Sequence, residues 1–248
     1  MPRPLSRILT TILIACSATL LAIASHAQIA AKPEPSRSGI TYLVKPDLRK
    51  CAFPMCGGWF LTPINQYSLQ LENEGEAYQS LSLLPNSIYV ANINYKALGL
   101  KPAQIEVLEA DMRNEQALLR GNITSNSQAK TIAPSPTKTL VVKGAWIGAN
   151  KTVALGPYLK VASSGIVCIT TPCPYYRASL VNSLYSTNFH ELTLTKAELT
   201  REQEAQAWQA VASEGLIMTG LTYESKGQTG PGTGISATKV FFPFPTKF

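Results

Sequence analysis

Two stretches of this chain align without a gap. Residues 51–65, CAFPMCGGWFLTPIN, lie over residues 168–182, CITTPCPYYRASLVN. Cys51 meets Cys168 and Cys56 meets Cys173. Trp59 meets Tyr176, Ile64 meets Val181, and Asn65 meets Asn182. A cysteine pair that returns with its surroundings constrains the fold more than any other feature, because one account has to serve both places.

A C-x4-C pair can be a staple across a turn, half of a metal site or a reactive dithiol. The N-terminus helps to choose among these. Arg3 and Arg7 precede an uncharged apolar run at 8–24, and Ser25-His26-Ala27 supplies small residues at the minus-three and minus-one positions before Gln28. This is the pattern of a secretory signal peptide over residues 1–27, cut between Ala27 and Gln28. A membrane anchor is the competing reading of the run, and LIAC at 13–16 resembles a lipobox that would lipidate Cys16. Cleavage leaves no transmembrane segment in the mature chain and four cysteines, an even number suited to disulfides in an oxidising compartment.

Three pairings of four cysteines are possible. If each half of the chain folds alone, Cys51 pairs with Cys56 and Cys168 with Cys173. A tight turn brings residues five apart within the usual ~4.4–6.8 Å between bridged Cα atoms. Pro54 and Pro172 stiffen the loops. Zinc would need both pairs to meet in space, and C-x4-C is not the usual C-x2-C spacing. A redox dithiol would sit as C-x-x-C at a helix start, and neither pair precedes a helix. No metal and no cofactor is expected.

The similarity of the halves extends beyond the cysteines. Residues 93–123 and 192–223 share an order of signals: a strand, Lys-Ala, a helix and a short apolar strand with a glycine, Gly121 or Gly220. Pro102 suits a first helical turn. Ile105, Leu108 and Met112 then share a face. Thr200 with Gln203 is a capping-box pattern, Ala205, Trp208 and Ala212 make a stripe with Val211 alongside, and Gly215 suits a left-handed stop. The expected fold class is α+β and β-rich, as two related β-β-β-α-β-β halves, each with a short disulfide-stapled hairpin loop. The domain reading is signal 1–27, flexible leader 28–39, first half 40–150 with a long loop at 124–138, and second half 151–248. Residues 225–236, SKGQTGPGTGIS, are expected to form a turn-rich loop.

Other features bound the function. The net charge is +7, but the basic residues are dispersed. Nucleic-acid binding concentrates them on one face or stripe, so no nucleic-acid partner is expected. His190 is the one histidine after the signal, and its neighbours alternate as in a strand, which would put Phe189 and Leu192 on opposite faces. No nucleophile elbow accompanies it. GTGISA at 232–237 matches G-x-G-x-x-A but is followed by TKVFFPFP, which is strand-like rather than helical. Trp59, Tyr175 and Tyr176 follow the cysteines closely and are candidates for an aromatic binding surface.

DLRKCAFPMCGGWF at 47–60, with GIVCITTPCP at 165–174, resembles an uncharacterised group of bacterial exported proteins, a domain of unknown function marked by C-x-x-P-x-C-G-G. The resemblance implies export and carries no catalytic residues. The second copy departs from it, with Pro174-Tyr175 where Gly57-Gly58 stood. The resulting expectation is an exported protein, periplasmic or secreted, that acts as a non-enzymatic binding or envelope-associated module with a protein or envelope partner. A protease inhibitor presenting a disulfide-pinned loop is one alternative, and an enzyme of unrecognised class is the other.

Overall fold

The computed structural model describes residues 39–74, 78–85, 87–126, 137–227 and 230–245, and within 67–85 the backbone alone. The expected signal peptide, its expected junction at Ala27 and Gln28, Cys16 and the expected leader up to residue 38 lie outside these residues.

The strands are β1 (Ile40–Pro46), β2 (Trp59–Pro63), β3 (Tyr67–Glu74), β4 (Tyr78–Pro85), β5 (Ile88–Val90), β6 (Asn92–Asn94), β7 (Ala117–Asn126) and β8 (Thr137–Gly148). They continue as β9 (Tyr158–Ser163), β10 (Tyr176–Leu180), β11 (Ser186–Phe189), β12 (Glu191–Thr193), β13 (Leu216–Gly227) and β14 (Gly230–Phe244). Helix α1 (Pro102–Arg113) follows β6, and α2 (Arg201–Ala212) follows β12. Twelve strands form one sheet in the order β11-β10-β9-β13-β14-β8-β7-β1-β2-β5, with β12 and β6 pairing in parallel with β14 and β8. β3 and β4 pair only with each other.

This corrects the expected fold class. The chain is a mostly antiparallel β protein with a single twelve-stranded sheet, not an α+β pair of β-β-β-α-β-β units. Three causes explain the difference. Residues 225–227 and 230–236 are strand rather than loop, because the glycines accept close neighbours: the Tyr223 ring lies over Gly234, where a Cβ would come 2.2 Å from Cζ. The chain bends at His190, which separates β11 from β12 and turns Phe189 and Leu192 into the same core rather than onto opposite faces. Finally, β8 and β14 pair antiparallel, Gly148 with Phe241 through Ala145 with Phe244, and this joins the strands of 40–148 to those of 158–244 in one ladder.

Each side of that join wraps its own core. On one side Tyr42, Val44, Leu61, Val90, Leu119, Leu140 and Val142 close over Leu108 and Met112 of α1. On the other, Val161, Phe189, Leu192, Leu216, Met218 and Val240 close over Ala207 and Val211 of α2. Each buried aliphatic side chain contributes roughly 1.5–3 kcal/mol. The helix signals hold at their ends. Pro102 opens α1, Thr200 Oγ1 accepts from the Gln203 N–H at 3.3 Å, and Gln203 Oε1 accepts from the Thr200 N–H at 3.0 Å. The buried stripe of α2 runs through Ala207 and Val211 with Trp208 half-buried, whereas Ala205 and Ala212 face solvent.

A third cluster joins Ile64 and Leu118 to Ile217 and Phe241; Leu118, Ile217 and Phe241 alternate along their strands with residues of the two cores and so lie on the other face of the sheet. Asn65 and Asn182 lock it from both sides. Each occupies a left-handed turn, with φ of 58° and 63°. Asn65 Oδ1 accepts from the Tyr158 N–H at 2.9 Å, and its Nδ2 donates to the carbonyls of Tyr158 (2.7 Å) and Val181 (2.9 Å). Asn182 Oδ1 accepts from the Thr41 N–H at 2.8 Å, and its Nδ2 donates to the carbonyls of Thr41 (2.7 Å) and Ile64 (3.0 Å).

Candidate functional site

The most distinctive surfaces are the connections β1–β2 and β9–β10. Residues 47–58, loop 1, carry a disulfide between Cys51 and Cys56, whose Cα atoms are 5.6 Å apart. Cys56 is buried and Cys51 is at the surface. Polar contacts hold the loop from within. Asp47 accepts from the Arg49 N–H (3.1 Å), Nε (2.9 Å) and Nη2 (2.9 Å), and Arg49 Nη2 also donates to the Met55 carbonyl at 3.0 Å. The guanidinium lies 5.2 Å from the ring centres of both Phe60 and Tyr89. Tyr89 Oη donates to the Pro54 carbonyl at 2.9 Å. The Arg49 hydrogen bonds hold the Asp47 carboxyl below the ordinary aspartate range. Gly58 passes so close to β5 that a Cβ would sit 2.2 Å from the Val90 carbonyl oxygen.

With the polar groups turned inward, the apolar ones face out. Leu48 is 83 % exposed, Phe53 64 % and Met55 54 %. Lys50 stands among them at the surface.

Residues 164–175, loop 2, follow the same plan with different chemistry. Cys168 and Cys173 are bonded, with Cα atoms 5.7 Å apart, and Cys173 is the buried member. Ser164 ties the base: its N–H donates to the Tyr175 carbonyl (2.8 Å) and its Oγ to the Pro174 carbonyl (2.6 Å). Val167 is 90 % exposed and Ile169 is fully exposed. No residue of this loop is charged.

Five antiparallel pairings connect β1 through β7, β8, β14 and β13 to β9. β1 and β9 therefore run in opposite directions, and the two loops leave the sheet at opposite ends. The aromatic residues that follow the cysteines do not come together. Trp59, on β2, packs against the first core with the Arg113 guanidinium 6.0 Å from its ring centre. Tyr176, on β10, packs against the second core, its ring centre 5.3 Å from that of Phe189 and 6.4 Å from that of Trp208. Tyr175 is exposed at the base of loop 2.

His190 works as a strand-end clamp. Its N–H donates to the Thr233 carbonyl at 2.8 Å, and its Nδ1 accepts from the Thr233 N–H at 2.9 Å. Among the described residues, no group of three or more His, Cys, Asp or Glu is placed to hold a metal ion.

One buried cation had no visible signal in the sequence. Lys239 is 2 % exposed. Its Nζ donates to the carbonyls of Asn150 (2.9 Å) and Thr152 (2.7 Å) and to Gln116 Oε1. Burial pushes its amine below the ordinary lysine value. It lies at the floor of an open groove of about 420 Å³ that also borders Arg113, Lys151, Tyr158 and Phe241. All three ammonium hydrogens are taken by protein oxygens, so Lys239 ties the connection between β8 and β9 to β14 and presents nothing to a ligand. Asp47, Arg49 and Tyr89 were likewise not anticipated. Asn65 and Asn182 did leave a sequence signal, since they share a place in the alignment of the two cysteine segments.

A sequence model of the family described as "Domain of unknown function (DUF6748)" matches residues 40–247. No curated protein and no solved structure matches the chain.

Proposed function

The chain belongs to the DUF6748 family, and from the geometry of its loops we propose that it is an exported, non-enzymatic binding protein that makes its contacts through the two disulfide-held loops. The observation that carries this reading is the arrangement of the tips: apolar side chains stand out where folding gains nothing from them, on loops each closed by a disulfide and held by internal hydrogen bonds. Exposed apolar groups clustered in this way mark contact surfaces. A loop already fixed in shape also loses less freedom when it binds. Export rests on the signal-like residues 1–27 and on the two disulfides, which persist in oxidising compartments.

In this reading residues 40–150 and 151–248 descend from one ancestral unit. Three features support the idea. Outward from β8 the strands run β7, β1, β2, β5, and outward from β14 they run β13, β9, β10, β11. The register of the long hairpins shifts at Gly121 and at Gly220. Asn65 and Asn182 make reciprocal contacts. The tips have diverged, one basic and one uncharged, so the two ends address different partners.

The inhibitor alternative loses ground in the same geometry. A protease cleft takes an extended segment. Loop 1 instead turns inside its disulfide ring, the Met55 N–H donating to the Ala52 carbonyl at 3.0 Å.

The test is site-specific photo-crosslinking in exporting cells, with the reactive residue placed at Phe53, at Val167 and, as a control, at exposed Glu204 on α2. Adducts at both loop positions and none at the control are expected. Silence at both loops, or equal labelling at the control, would overturn the reading.

A further inference from the structure

We propose that the partner of loop 1 is a lipid surface carrying anionic headgroups. This deepens the reading of the loops as binding ends and rests on it. Two features of the structure point to lipid rather than protein.

The first is how the loop treats its polar atoms. In contact with hydrocarbon, a polar group without an internal partner is costly. Loop 1 caps four of its carbonyls from inside: Ala52 by the Met55 N–H, Pro54 by Tyr89 Oη, Met55 by Arg49 and Gly58 by the Asp47 N–H at 2.9 Å. A protein interface surrounds its apolar centre with a rim of hydrogen-bonding groups, about one bond per 100–200 Å². Loop 1 has spent these four on itself. The apolar side chains that stand outside are Leu48, Phe53 and Met55.

The second is charge. Arg49 is neutralised by Asp47 at 2.9 Å. Lys45, at the end of β1, is paired with Glu115 at 2.9 Å. Lys50 is left at the tip beside the three apolar side chains and gives it a net positive charge. An apolar knob with a cation at its shoulder is the arrangement that sits at an anionic headgroup layer, with the side chains below and the ammonium among the phosphates. Loop 2, at the other end of the sheet, has the apolar residues without the cation and is the internal control.

The experiment is vesicle co-sedimentation with the processed, exported protein. Both disulfides are formed, and mass measurement confirms that the apolar run 8–24 is absent. Vesicles are phosphatidylcholine alone, or phosphatidylcholine mixed with phosphatidylglycerol, at low salt. Binding to the mixed vesicles is expected with a partition constant on the order of 10³–10⁴ M⁻¹, the range of a single weak anchor. Replacing Leu48, Phe53 and Met55 together by Ser should lower it at least about tenfold. Lys50→Ala should lower it about fivefold on the mixed vesicles and leave phosphatidylcholine binding unchanged. Val167→Ser with Ile169→Ser should change nothing.

If the serine variant fails to fold, the apolar exchange Leu48→Met, Phe53→Leu, Met55→Leu must keep the binding. A single Phe53→Trp reporter must also shift its emission to the blue on the mixed vesicles. No binding by the wild type, binding indifferent to the loop 1 tip, or binding lost with the loop 2 tip would overturn the proposal. If crosslinks at Phe53 go to a protein while vesicles are ignored, the lipid assignment fails and the reading of loop 1 as a binding end stands.

Discussion

Asn182 carries as much of the junction as a short strand would. One side chain saturates both backbone groups of Thr41 and the carbonyl of Ile64. Removing it takes away three bonds, with the Thr41 carbonyl keeping the Ile64 N–H at 3.2 Å, at roughly 1 kcal/mol for each bond lost. Asn182→Ala should therefore cost about 3 kcal/mol, plus ~1 kcal/mol for alanine at a φ of 63°. Asn182→Gly keeps the turn and should lose only the first part. Urea midpoints at an unchanged slope would measure both. Equal losses in the two variants would mean that the turn contributes nothing; a glycine variant as stable as the wild type would mean that the turn matters and the bonds do not.

Lys239 makes a pH prediction at the same scale. Burial depresses its folded value below the ordinary lysine value, which the unfolded chain keeps. Between the two values the unfolded state binds more protons, so stability gains as pH rises through that window. The stability of the wild type relative to Lys239→Met should shift toward the wild type as pH rises through the depressed value toward the ordinary lysine value of about 10.4. A difference that stays flat would show that the amine pays no desolvation cost. The two sites differ in legibility. Aligning the cysteine segments puts Asn65 on Asn182. Nothing local marks Lys239, whose burial depends on Gln116 and residues 150–152 arriving from elsewhere in the chain.

At the level of elements, the cysteine loops are pinned twice, by a covalent bond and by inward polar contacts. This separates the effect of the bond on stability from its effect on shape. Closing so short a ring contributes about 2 kcal/mol on the loop-entropy estimate. Cys51→Ser with Cys56→Ser should lower stability by about that much and leave the sheet intact, because β1 and β2 are held by five paired positions of their own. Far-ultraviolet dichroism with a denaturant titration checks both halves of the statement, and a collapsed sheet signal would refute it.

Helices were readable because their signals are local: Pro102 at one start, and Thr200 with Gln203 at the other. The strand at 230–244 was not. Gly230, Gly232 and Gly234 look like a flexible loop until His190 and Tyr223 are packed against the last two. The bend that brings Phe189 and Leu192 into one core was hidden for the same reason. A strict alternation is the simplest reading of a short strand, and only the pairing of β12 with β14 breaks it.

Across the whole molecule, the open point is whether two cores behave as one. The cysteine alignment suggested two units, but the ladder of β8 with β14 is a contact of distant segments that no local pattern announces. The join between the two cores is substantial. It comprises the β8–β14 ladder, the two asparagine clamps and a cluster of four buried side chains. The cluster alone is worth roughly 6–12 kcal/mol at 1.5–3 kcal/mol for each side chain, which is as large as the 5–15 kcal/mol that holds a typical domain folded. Neither side should then survive the loss of the other, and the protein should unfold in one step, with calorimetric and van't Hoff enthalpies equal. Phe241 sits at the centre of the cluster, 1 % exposed and 5.9 Å from the Tyr158 ring. Phe241→Ala should remove about 3–5 kcal/mol. Combined with Asn182→Gly it should weaken the join enough for the two cores to melt apart, so that the calorimetric enthalpy exceeds the van't Hoff value. Two separate transitions in the wild type would show that the ladder binds the two sides together without coupling them.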